Sequence, residues 1–411
     1  MNALLQNKIL AALPRIEEWI SSLEKDVPLF MSADIRDAGF KIASIDANLY
    51  PAGFNNLHED FHPTAIANLK AGLMHYGVEP GSKILLISEE HTRNLFYLEN
   101  IHVLKSLIEQ AGYLTDIATA FELEQDMYSG EAVHLQTARG NVVRLLHPGS
   151  AEANIHQYAA IVMNHDSSAG TPAWIQNATI PVLPAWQAGW HTRSKARHFA
   201  HYKLLMKELA GIVGVDPWFF SPLDAHITGV DINADAARAD IGAKAEALLK
   251  EIQTKYDEYQ IKEKPFVFLK SDHGTYGMAM LSFDTAAEIL DINRKEKNKL
   301  FKGKSSVVVK DYLLQEGVPT IVKDGSYFAE SVVMLANNRF IGKFARVNEQ
   351  KDARTSLNST GMYFKPLPLS ECANDETKVA TVITRVAGIA LQREVCELVT
   401  PNEPCFSDRP A

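Results

Sequence analysis

Residues 266–280 form the stretch that most restricts how this chain can fold. An apolar run, residues 266–269, ends on Lys270 and opens into a polar turn that contains Gly274 and Gly277. The run predicts a buried strand. The lysine and the turn together can hold a polyphosphate, because an ammonium is a compact charge and glycines let backbone N–H groups approach an anion. A hairpin turn with an exposed lysine is the alternative interpretation.

Composition and charge narrow the class of protein. The chain has 411 residues, of which 46% are hydrophobic and 22% charged, which is typical of a soluble globular protein with about two or three domains. The formal net charge is −9. This charge argues against a general nucleic-acid binder, although a local basic pocket for an anion remains compatible with it.

The cysteines and the apolar runs bear on where the protein works. Its three cysteines are odd in number, lie in the last forty residues or so and include no C-x-x-C pair, so they predict neither a disulfide framework nor a zinc site. We expect a reducing cytoplasm. The chain starts without the order of segments found in a signal peptide, and no apolar run reaches the ~20 residues that span a bilayer. We therefore expect no membrane partner.

Residues 31–57 carry candidate metal ligands. The apolar pattern predicts two short strands joined by a turn at 37–39. Asp46 and Asn48 are two residues apart, so on a strand their side chains share one face, and pairing of the strands would bring Asp34 to the same side. Carboxylate and amide oxygens suit Mg²⁺. The alternative is that these are ordinary turn residues, since Asp and Asn are frequent there.

The residues from His58 to His62 match the zinc motif H-E-x-x-H. The motif binds zinc only on a helix, where both imidazoles share a face. Pro63 follows directly and disfavours a helical conformation at His62. A zinc hydrolase is therefore the weaker interpretation, and a turn or a helix start is the better one.

Residues 76–195 alternate predicted strands and helices, which indicates an α/β unit. Ligands in such sheets bind beyond the carboxyl ends of strands, and two polar clusters, 89–94 and 164–168, fall at such ends. Arg93 can hold a carboxylate through two hydrogen bonds. Helix capping by Thr92 or Ser168 is the alternative. No G-x-G-x-x-G occurs at a strand-to-helix turn, so a dinucleotide site lacks support.

The remaining pattern alternates basic, helical and strand segments. Residues 189–198 are locally basic, which suits either an anionic ligand or a solvated surface. Helical patterns follow, and a closing one covers 374–397. The predicted strands are 305–309, 312–319, and a pair at 327–336 and 339–347 that is joined at two asparagines.

Taken together, these segments resemble the proteobacterial, ATP-grasp type of glutamate–cysteine ligase. The resemblance is carried by IDANLYPAGFNNL, EEHTRN, GWHTRSKARHF, FLKSDHGTYGM, LQEGVPT and GKFARVN with LNSTGMYFKPL. These motifs run across nearly the whole chain and are specific in combination. The resemblance implies an α/β fold of ATP-grasp type, with ATP and Mg²⁺ as cofactors and glutamate and cysteine as the other substrates.

The resemblance also implies roles for single residues. Lys270 matches the lysine that meets the phosphates, and loop 270–278 matches the segment that covers them. Arg346 matches an arginine near the transferred phosphate. The implied ATP-binding residues are Lys270, Gly274, Thr275, Tyr276, Gly277, Gln315, Glu316, Val318 and Asn358. The implied substrate-binding residues are Glu89, His91, Thr92, Arg93, Asn94, Arg193 and Lys195.

One departure from the usual ATP-grasp pattern implies a circular permutation. The usual chain ends in a metal-binding acidic strand, whereas this chain ends in a helix and a tail. The acidic strands near the start, with Asp34, Asp46 and Asn48, are similar to those of permuted relatives. The expected domains are therefore 1–75 with the metal-binding part, 76–195 as an inserted Rossmann-like substrate domain, and 196–411 as the ATP-grasp domain.

The implied reaction activates the glutamate side-chain carboxylate as an acyl phosphate, which the amine of cysteine then attacks. Three alternatives stay open at this point: another ATP-grasp peptide ligase such as glutathione synthetase, a zinc metallohydrolase through His58 and His62, and a non-catalytic nucleotide-binding module. The sequence leaves the oligomeric state open, and a homo-oligomer is possible.

Overall fold

The computed structural model describes residues 1–25, 27–274, 280–301 and 308–399. The described strands are β1 (Phe30–Asp37), β2 (Ile42–Asn48), β3 (Lys83–Ser88), β4 (Leu114–Thr119), β5 (Ala132–Gln136), β6 (Val142–Leu146), β7 (Ala160–Asn164), β8 (Val182–Leu183), β9 (Asp224–Ile227), β10 (Val267–Ser271), β11 (Met280–Phe283), β12 (Tyr312–Glu316), β13 (Lys323–Asp324), β14 (Tyr327–Ala336), β15 (Arg339–Asn348) and β16 (Met362–Pro366). The described helices are α1 (Ala3–Leu23), α2 (His62–His75), α3 (Leu95–Gln110), α4 (Pro148–Ala153), α5 (Ala173–Gln176), α6 (Lys195–Val213), α7 (Asp235–Glu258), α8 (Ala286–Leu290), α9 (Arg294–Phe301), α10 (Leu369–Cys372) and α11 (Asp375–Leu398).

Three sheets organise the described part of the chain, and the predicted mixed α/β class is confirmed. The long sheet has the order β16-β15-β14-β1-β2, with β13 added beside β14, and all its pairs are antiparallel. The short sheet is antiparallel, in the order β11-β10-β12-β9. The parallel sheet has the order β5-β6-β4-β3-β7-β8, in which only the edge strand β5 runs antiparallel.

The long sheet joins distant parts of the sequence. β1 lies between β2 and β14, so that Asp34 stands opposite both Asp46 and Val332. The turn between β14 and β15 consists of Asn337 and Asn338, which both have φ near +50°. Asparagine tolerates that left-handed conformation, which a tight hairpin requires. The predicted hairpin at these two asparagines is confirmed.

Helices cover the sheets with their apolar faces. α11 is buried along most of its length and packs against α1, α6 and β2. The N-cap of α6 is Ser194, whose hydroxyl accepts a hydrogen bond from the backbone N–H of Arg197, and its C-cap is Gly214 in the left-handed conformation. These are the stop and start signals that a helix of this length needs. The long helices predicted from periodicity are thus present.

The local structure also settles two sequence interpretations. α3 is capped by Asn94, whose side chain accepts from the N–H of Tyr97, so the predicted alternative cap at Thr92 is wrong. His58 lies ahead of α2 and caps a short 3-10 turn, while His62 is the first residue of α2. The two imidazoles therefore do not share a helical face, and the H-E-x-x-H match is not a zinc-binding helix.

Two further observations complete the fold. Within the described ranges, we find no helix with both the length and the apolar character needed to cross a bilayer. Most of the strand predicted at 305–309, together with residues 275–277 and Cys405, falls outside the described residues.

Candidate active site

Charged side chains from both ends of the chain meet between the long sheet and the short sheet. The long sheet supplies Asp34 from β1, Asp46 from β2 and Arg346 from β15, while Lys270 comes from β10 and Lys195 from the first turn of α6. All five line one small cavity. These residues are up to about 300 positions apart in the sequence, and the packing of the two sheets and α6 brings them together.

Asp34 and Asp46 lie opposite each other on β1 and β2, and each is paired with a cationic side chain. Arg346 donates two hydrogen bonds to Asp34, at 2.6 and 3.2 Å. The ammonium of Lys195 lies 3.2 Å from an oxygen of Asp46. Without these partners the two carboxylates would repel each other, because two like charges in a low-dielectric cleft disfavour ionisation of both groups.

The two carboxyl groups differ in acidity. Burial raises the pKa of Asp34 above its ordinary value, and the attraction of Arg346 does not fully offset it. Burial acts in the same direction on Asp46, but Lys195 and Lys270 outweigh it and hold the pKa of Asp46 below its ordinary value. Asp46 is thus the carboxylate that stays charged most firmly.

A buried chain of ion pairs continues behind Arg346. The guanidinium of Arg346 also donates to Glu330 at 2.6 Å, and Glu330 accepts from Arg36 at 2.7 Å. Arg36 in turn donates to the carbonyl oxygens of Val318 and Thr355. Burial works against ionisation of Glu330, yet the two arginines hold its pKa below the ordinary value. This series of ion pairs fixes the position of Arg346.

Lys270 reaches across the cleft from the short sheet to the long one. Its ammonium donates to the backbone oxygen of Ile45 at 3.0 Å and to the side-chain oxygen of Gln315 at 2.7 Å. Burial lowers the pKa of Lys270 to about 8, although Asp46 pulls it upward. The amide nitrogen of Gln315 is buried and has no hydrogen-bond partner within the described part of the chain, so a polar group beside it would be stabilised.

The donor set at the carboxylates suits a magnesium ion. Asp34 and Asp46 are cross-strand neighbours with oxygen ligands, which Mg²⁺ prefers. Asn48 lines the adjoining large cavity with both aspartates, while its amide exchanges hydrogen bonds with the backbone of Tyr50. The predicted metal ligands are therefore gathered in one place, and their joint role stays a prediction.

The segment with the implied ATP-binding residues Glu316 and Val318 is largely engaged in structural contacts. The carboxylate of Glu316 pairs with Lys41 at 2.7 Å and accepts from the indole of Trp218. Val318 contributes its backbone oxygen to Arg36. The structure places Gly274 in the lining of the small cavity with φ of +95°. Thr275, Tyr276 and Gly277 lie outside the described residues, so their role stays a prediction.

A larger cavity, of about 590 Å³, adjoins the charged cluster. This volume lies within the range of small-molecule sites, roughly 300–1,000 Å³. One end is lined by Asp34, Asp46, Arg346 and Asn358. The remaining lining includes amides and aromatic rings, namely Asn48, Asn55, Asn56, Asn94, Phe96, Tyr97, Trp190, Phe344 and Phe364. It lies between the long sheet and the start of α3.

The structure brings only some of the predicted substrate-binding residues to these cavities. Lys195 lines the small cavity and Asn94 the large one. Glu89, His91, Thr92 and Arg93 line neither. Arg193 is wholly buried and forms an ion pair with Glu394 of α11 at 3.0 Å. Their substrate roles are untested predictions, and the geometry gives them no direct support.

A second cluster of ligand atoms lies beyond the ends of β3 and β7. Oxygens of Glu89 and Glu90 and a ring nitrogen of His165 come within 4.8 Å of one another. The backbone N–H of Ser167 donates to Nδ1 of His165, which leaves the proton of the neutral ring on Nε2, facing Glu90 at 3.3 Å. The geometry is therefore that of a hydrogen-bonded pair, since a metal ligand would need Nε2 free of a proton.

Sequence reasoning missed Arg36, Glu330, Asn55 and Trp190 as site residues. Arg36 is two positions after Asp34 on β1, so the two side chains share a face; that spacing was available in the sequence. Glu330 and Arg346 stand opposite each other on β14 and β15, and a predicted hairpin register could have paired them. Asn55 and Trp190 gave no local signal, because only the tertiary fold places them on a cavity.

The sheets, the converging charges and the adjoining cavity define an enzyme that acts on small polar molecules. The family comparison makes this specific: the GshA model, described as glutamate-cysteine ligase, matches residues 6–395. The chain therefore belongs to the glutamate–cysteine ligase family. The family predicted from the sequence motifs is confirmed.

Comparison with solved structures agrees with this family. A protein from Methylobacillus flagellatus KT, assigned as a gamma-glutamylcysteine synthetase, is 31% identical, covers 96% of each chain and superposes with a TM-score of 0.84. The D-alanyl-alanine synthetase A of Vibrio cholerae O1 biovar eltor is 12% identical over 74% of this chain and 80% of that one, with a TM-score of 0.34, which is too low to add to the assignment. A search of curated proteins gives no match.

Proposed function

We propose that this ligase uses ATP and Mg²⁺ to join the side-chain carboxylate of glutamate to the amine of cysteine, in the cleft between the long sheet and the short sheet. One observation carries the proposal: Asp34, Asp46, Lys195, Lys270 and Arg346 converge on one cavity that adjoins a second one of small-molecule size. Family membership supplies the chemical class of the reaction.

The reaction proceeds in two bond exchanges. An oxygen of the glutamate side chain attacks the terminal phosphorus of ATP, and the bond from that phosphorus to ADP breaks. The amine of cysteine then attacks the acyl carbon, loses a proton, and the carbon–oxygen bond to phosphate breaks. Both exchanges pass through states with concentrated negative charge, which fixed positive groups stabilise.

The cleft contains positively charged side chains that can stabilise the negative charge of these states. Lys270 presents an ammonium from β10, and Lys195 a second one from α6; both line the small cavity with Arg346. Arg346 is fixed by Asp34 and Glu330, so it would meet a transferred phosphate without reorganisation. A magnesium ion held by Asp34 and Asp46 would neutralise phosphate oxygens. Exclusion of water from the cleft would protect the acyl phosphate from hydrolysis.

The expected domain division and location belong to the same proposal. The parallel sheet is formed by residues 83–183 and lies in sequence between β2 and β9, which supports an inserted substrate domain in a permuted ATP-grasp chain. The expected division at 75 and 195 rests on that sheet. We propose a cytoplasmic enzyme without a nucleic-acid partner, on the basis of its acidic charge and few cysteines.

The test is ADP release measured with ATP and Mg²⁺ against glutamate, cysteine and their pair. We expect ADP and γ-glutamylcysteine in equal amounts with the pair, and loss of both when Mg²⁺ is chelated. Lys270→Ala should lower the rate by about 100- to 1000-fold, on the scale of one lost electrostatic contact. Lys378→Ala on the exposed side of α11 serves as the matched control. ADP release with a different amine and none with cysteine would refute the assignment of the acceptor.

A further inference from the structure

The segment between β15 and β16, residues 349–361, contacts the β10–β11 hairpin of the short sheet through one arginine. The guanidinium of Arg354 donates to the carboxylate of Asp284 at 2.6 Å and, more weakly, to the backbone oxygen of Pro265 at 3.4 Å. It also lies over the ring of Phe266, 4.6 Å from the ring centre. A planar guanidinium that is stacked and hydrogen-bonded in this way fixes both a distance and a direction.

These three contacts hold both strands of the hairpin at the same end. Pro265 and Phe266 directly precede β10, and Asp284 directly follows β11. At the other end of the pairing, Lys270 stands opposite Met280. A strand rises about 3.3 Å per residue, so the backbone of Lys270 lies on the order of 10 Å from the end that Arg354 holds. The position of that end therefore sets where Lys270 enters the cleft.

The segment that carries Arg354 is itself tied to the long sheet and to the small cavity. The backbone oxygen of Thr355, the next residue, accepts a hydrogen bond from the buried Arg36 of β1 at 2.7 Å. Ser356 and Asn358 line the small cavity. Arg354 thus joins the strand that delivers Lys270 to a segment that forms part of the opposite wall.

The exposure of the ion pair indicates that its main effect is not on folding stability. The side chain of Arg354 is 34% exposed and that of Asp284 is 60% exposed. Ion pairs at this level of exposure contribute little to the free energy of unfolding. Their geometry can still matter for catalysis, because a misplacement of about 1 Å far from the reacting atoms can cost 100-fold in rate.

We propose that Arg354 is a positioning residue for phosphoryl transfer. It holds the β10–β11 hairpin so that the ammonium of Lys270 stands at a fixed place relative to Arg346 and Asn358 across the small cavity. Charge stabilisation in a transition state depends on such fixed placement. The inference rests on the proposed function, because it gives Arg354 a part in the transfer step of that reaction.

The first test compares Arg354→Met, Arg354→Lys and Asp284→Asn in steady-state ADP release. Arg354→Met removes the charge and the hydrogen bonds, and it should lower kcat by about 10- to 100-fold. The KM values for glutamate and cysteine should stay within about twofold, since Arg354 lines neither cavity. Arg354→Lys keeps a cation for Asp284, and Asp284→Asn keeps the contacts with Pro265 and Phe266, so both should lose less.

The second test asks whether Arg354 acts through Lys270. In the background of Lys270→Ala there is no ammonium to position, so adding Arg354→Met should slow that variant by no more than about threefold. Residues that act as a unit show such non-additivity, whereas independent sites lose rate in proportion to the product of the single effects. A merely structural role of Arg354 would give that product.

Arg339→Met is the matched control, because Arg339 is a half-exposed arginine of β15 that pairs with Glu24 at 2.7 Å and lines neither cavity. It should leave kcat unchanged. The inference is overturned if Arg354→Met keeps the wild-type kcat, or if its effect multiplies fully with that of Lys270→Ala. Thermal melting checks that each variant is folded, and Asp284→Asn, at an exposed side chain, decides the matter should Arg354→Met not fold. Wild-type enzyme that releases no ADP with glutamate and cysteine would instead refute the proposed function.

Discussion

At the residue scale, the neighbours of a side chain decide the chemistry that its type permits. Asp34 and Asp46 stand opposite each other on β1 and β2, yet burial raises the pKa of Asp34 while Lys195 and Lys270 overcome burial and lower that of Asp46. Two identical carboxyl groups thus differ through their partners alone. The sequence predicted both as site residues, but it could not predict this difference, because the partners come from β15, β10 and α6.

The buried ammonium of Lys270 gives a prediction for pH dependence. Its pKa is lowered to about 8, so its charge is lost as the pH rises through that value. We expect kcat/KM for ATP to fall above about pH 8, approaching tenfold per pH unit if only the charged form binds phosphate. Initial rates at low ATP between pH 7 and 10 measure this directly.

Lys270→Arg is the control for that profile, because an arginine stays charged over the whole range. The variant should be slower but flat between pH 7 and 10. A wild-type profile that is equally flat would show that the charge of Lys270 is not needed for ATP binding. The same pKa affects stability in the opposite direction to activity. Between about pH 8 and pH 10.5, Lys270 is protonated in the unfolded chain and neutral in the folded protein. The contribution of Lys270 to the free energy of unfolding therefore rises with pH over this range.

At the element scale, ion pairs join helices that are distant in sequence. Arg193, just before α6, is paired with Glu394 of α11, and both side chains have no exposed surface. Ser194 also donates its backbone N–H to the same carboxylate. The sequence indicated a basic stretch that suits an anion. The anion in the structure is a glutamate two hundred residues later, which no local pattern could identify.

We expect Arg193→Met to lower the free energy of unfolding by about 3–5 kcal/mol, because it leaves the buried carboxylate of Glu394 without its cation. Arg193→Met combined with Glu394→Leu should recover most of that loss, since no buried charge remains. Urea denaturation followed by circular dichroism measures both. Arg197→Met breaks a half-exposed pair with Glu397 at 3.8 Å, and this matched control should cost at most about 1 kcal/mol.

An alternative result would favour the role first assigned to Arg193 from the sequence. If Arg193→Met kept its stability and raised the KM for glutamate, Arg193 would bind substrate and the interpretation of the ion pair as structural would be wrong. Substrate binding and folding stability are separate measurements on the same purified variant, so either outcome is decisive.

At the element scale, local sequence could predict some helices and strands but not others. Long amphipathic helices such as α7 and α11, and the β14–β15 hairpin with its two asparagines, follow from periodicity and turn chemistry. β9, with the sequence DAHI, and the two-residue β13 have no apolar run, so they form only because neighbouring strands pair with them. Their pairing partners are set by the whole fold.

At the scale of the whole molecule, ligand binding between two sheets should stabilise the fold. We expect the non-hydrolysable analogue AMP-PNP with Mg²⁺ to raise the melting temperature, with about 2.7 kcal/mol of added stability at a concentration 100-fold above its Kd. The shift should shrink strongly in Lys270→Ala, whose missing ammonium joins β10 to the backbone of β2. Differential scanning fluorimetry measures the shift.

AMP is the matched ligand control, because it keeps adenosine and the α-phosphate and lacks the β- and γ-phosphates that the charged cleft would hold. A shift with AMP as large as that with AMP-PNP would contradict phosphate recognition by this cleft. The whole-molecule arrangement itself was only partly predictable: the two acidic strands near the start of the chain were expected from a resemblance, whereas the cavity wall with Asn55 and Trp190 required the packed structure.

The order of strands in the long sheet also has a consequence for synthesis of the protein. β1 needs β14 as its neighbour, and the two are separated by roughly 290 residues. At the usual 5–20 residues per second, the ribosome takes on the order of 15–60 s to make that interval. Throughout it, one edge of the β1–β2 hairpin has no partner strand from its own sheet. A nascent chain with this strand order exposes unpaired backbone N–H and C=O groups for longer than one whose paired strands are adjacent in sequence. Early chaperone binding to the first fifty residues would therefore be advantageous.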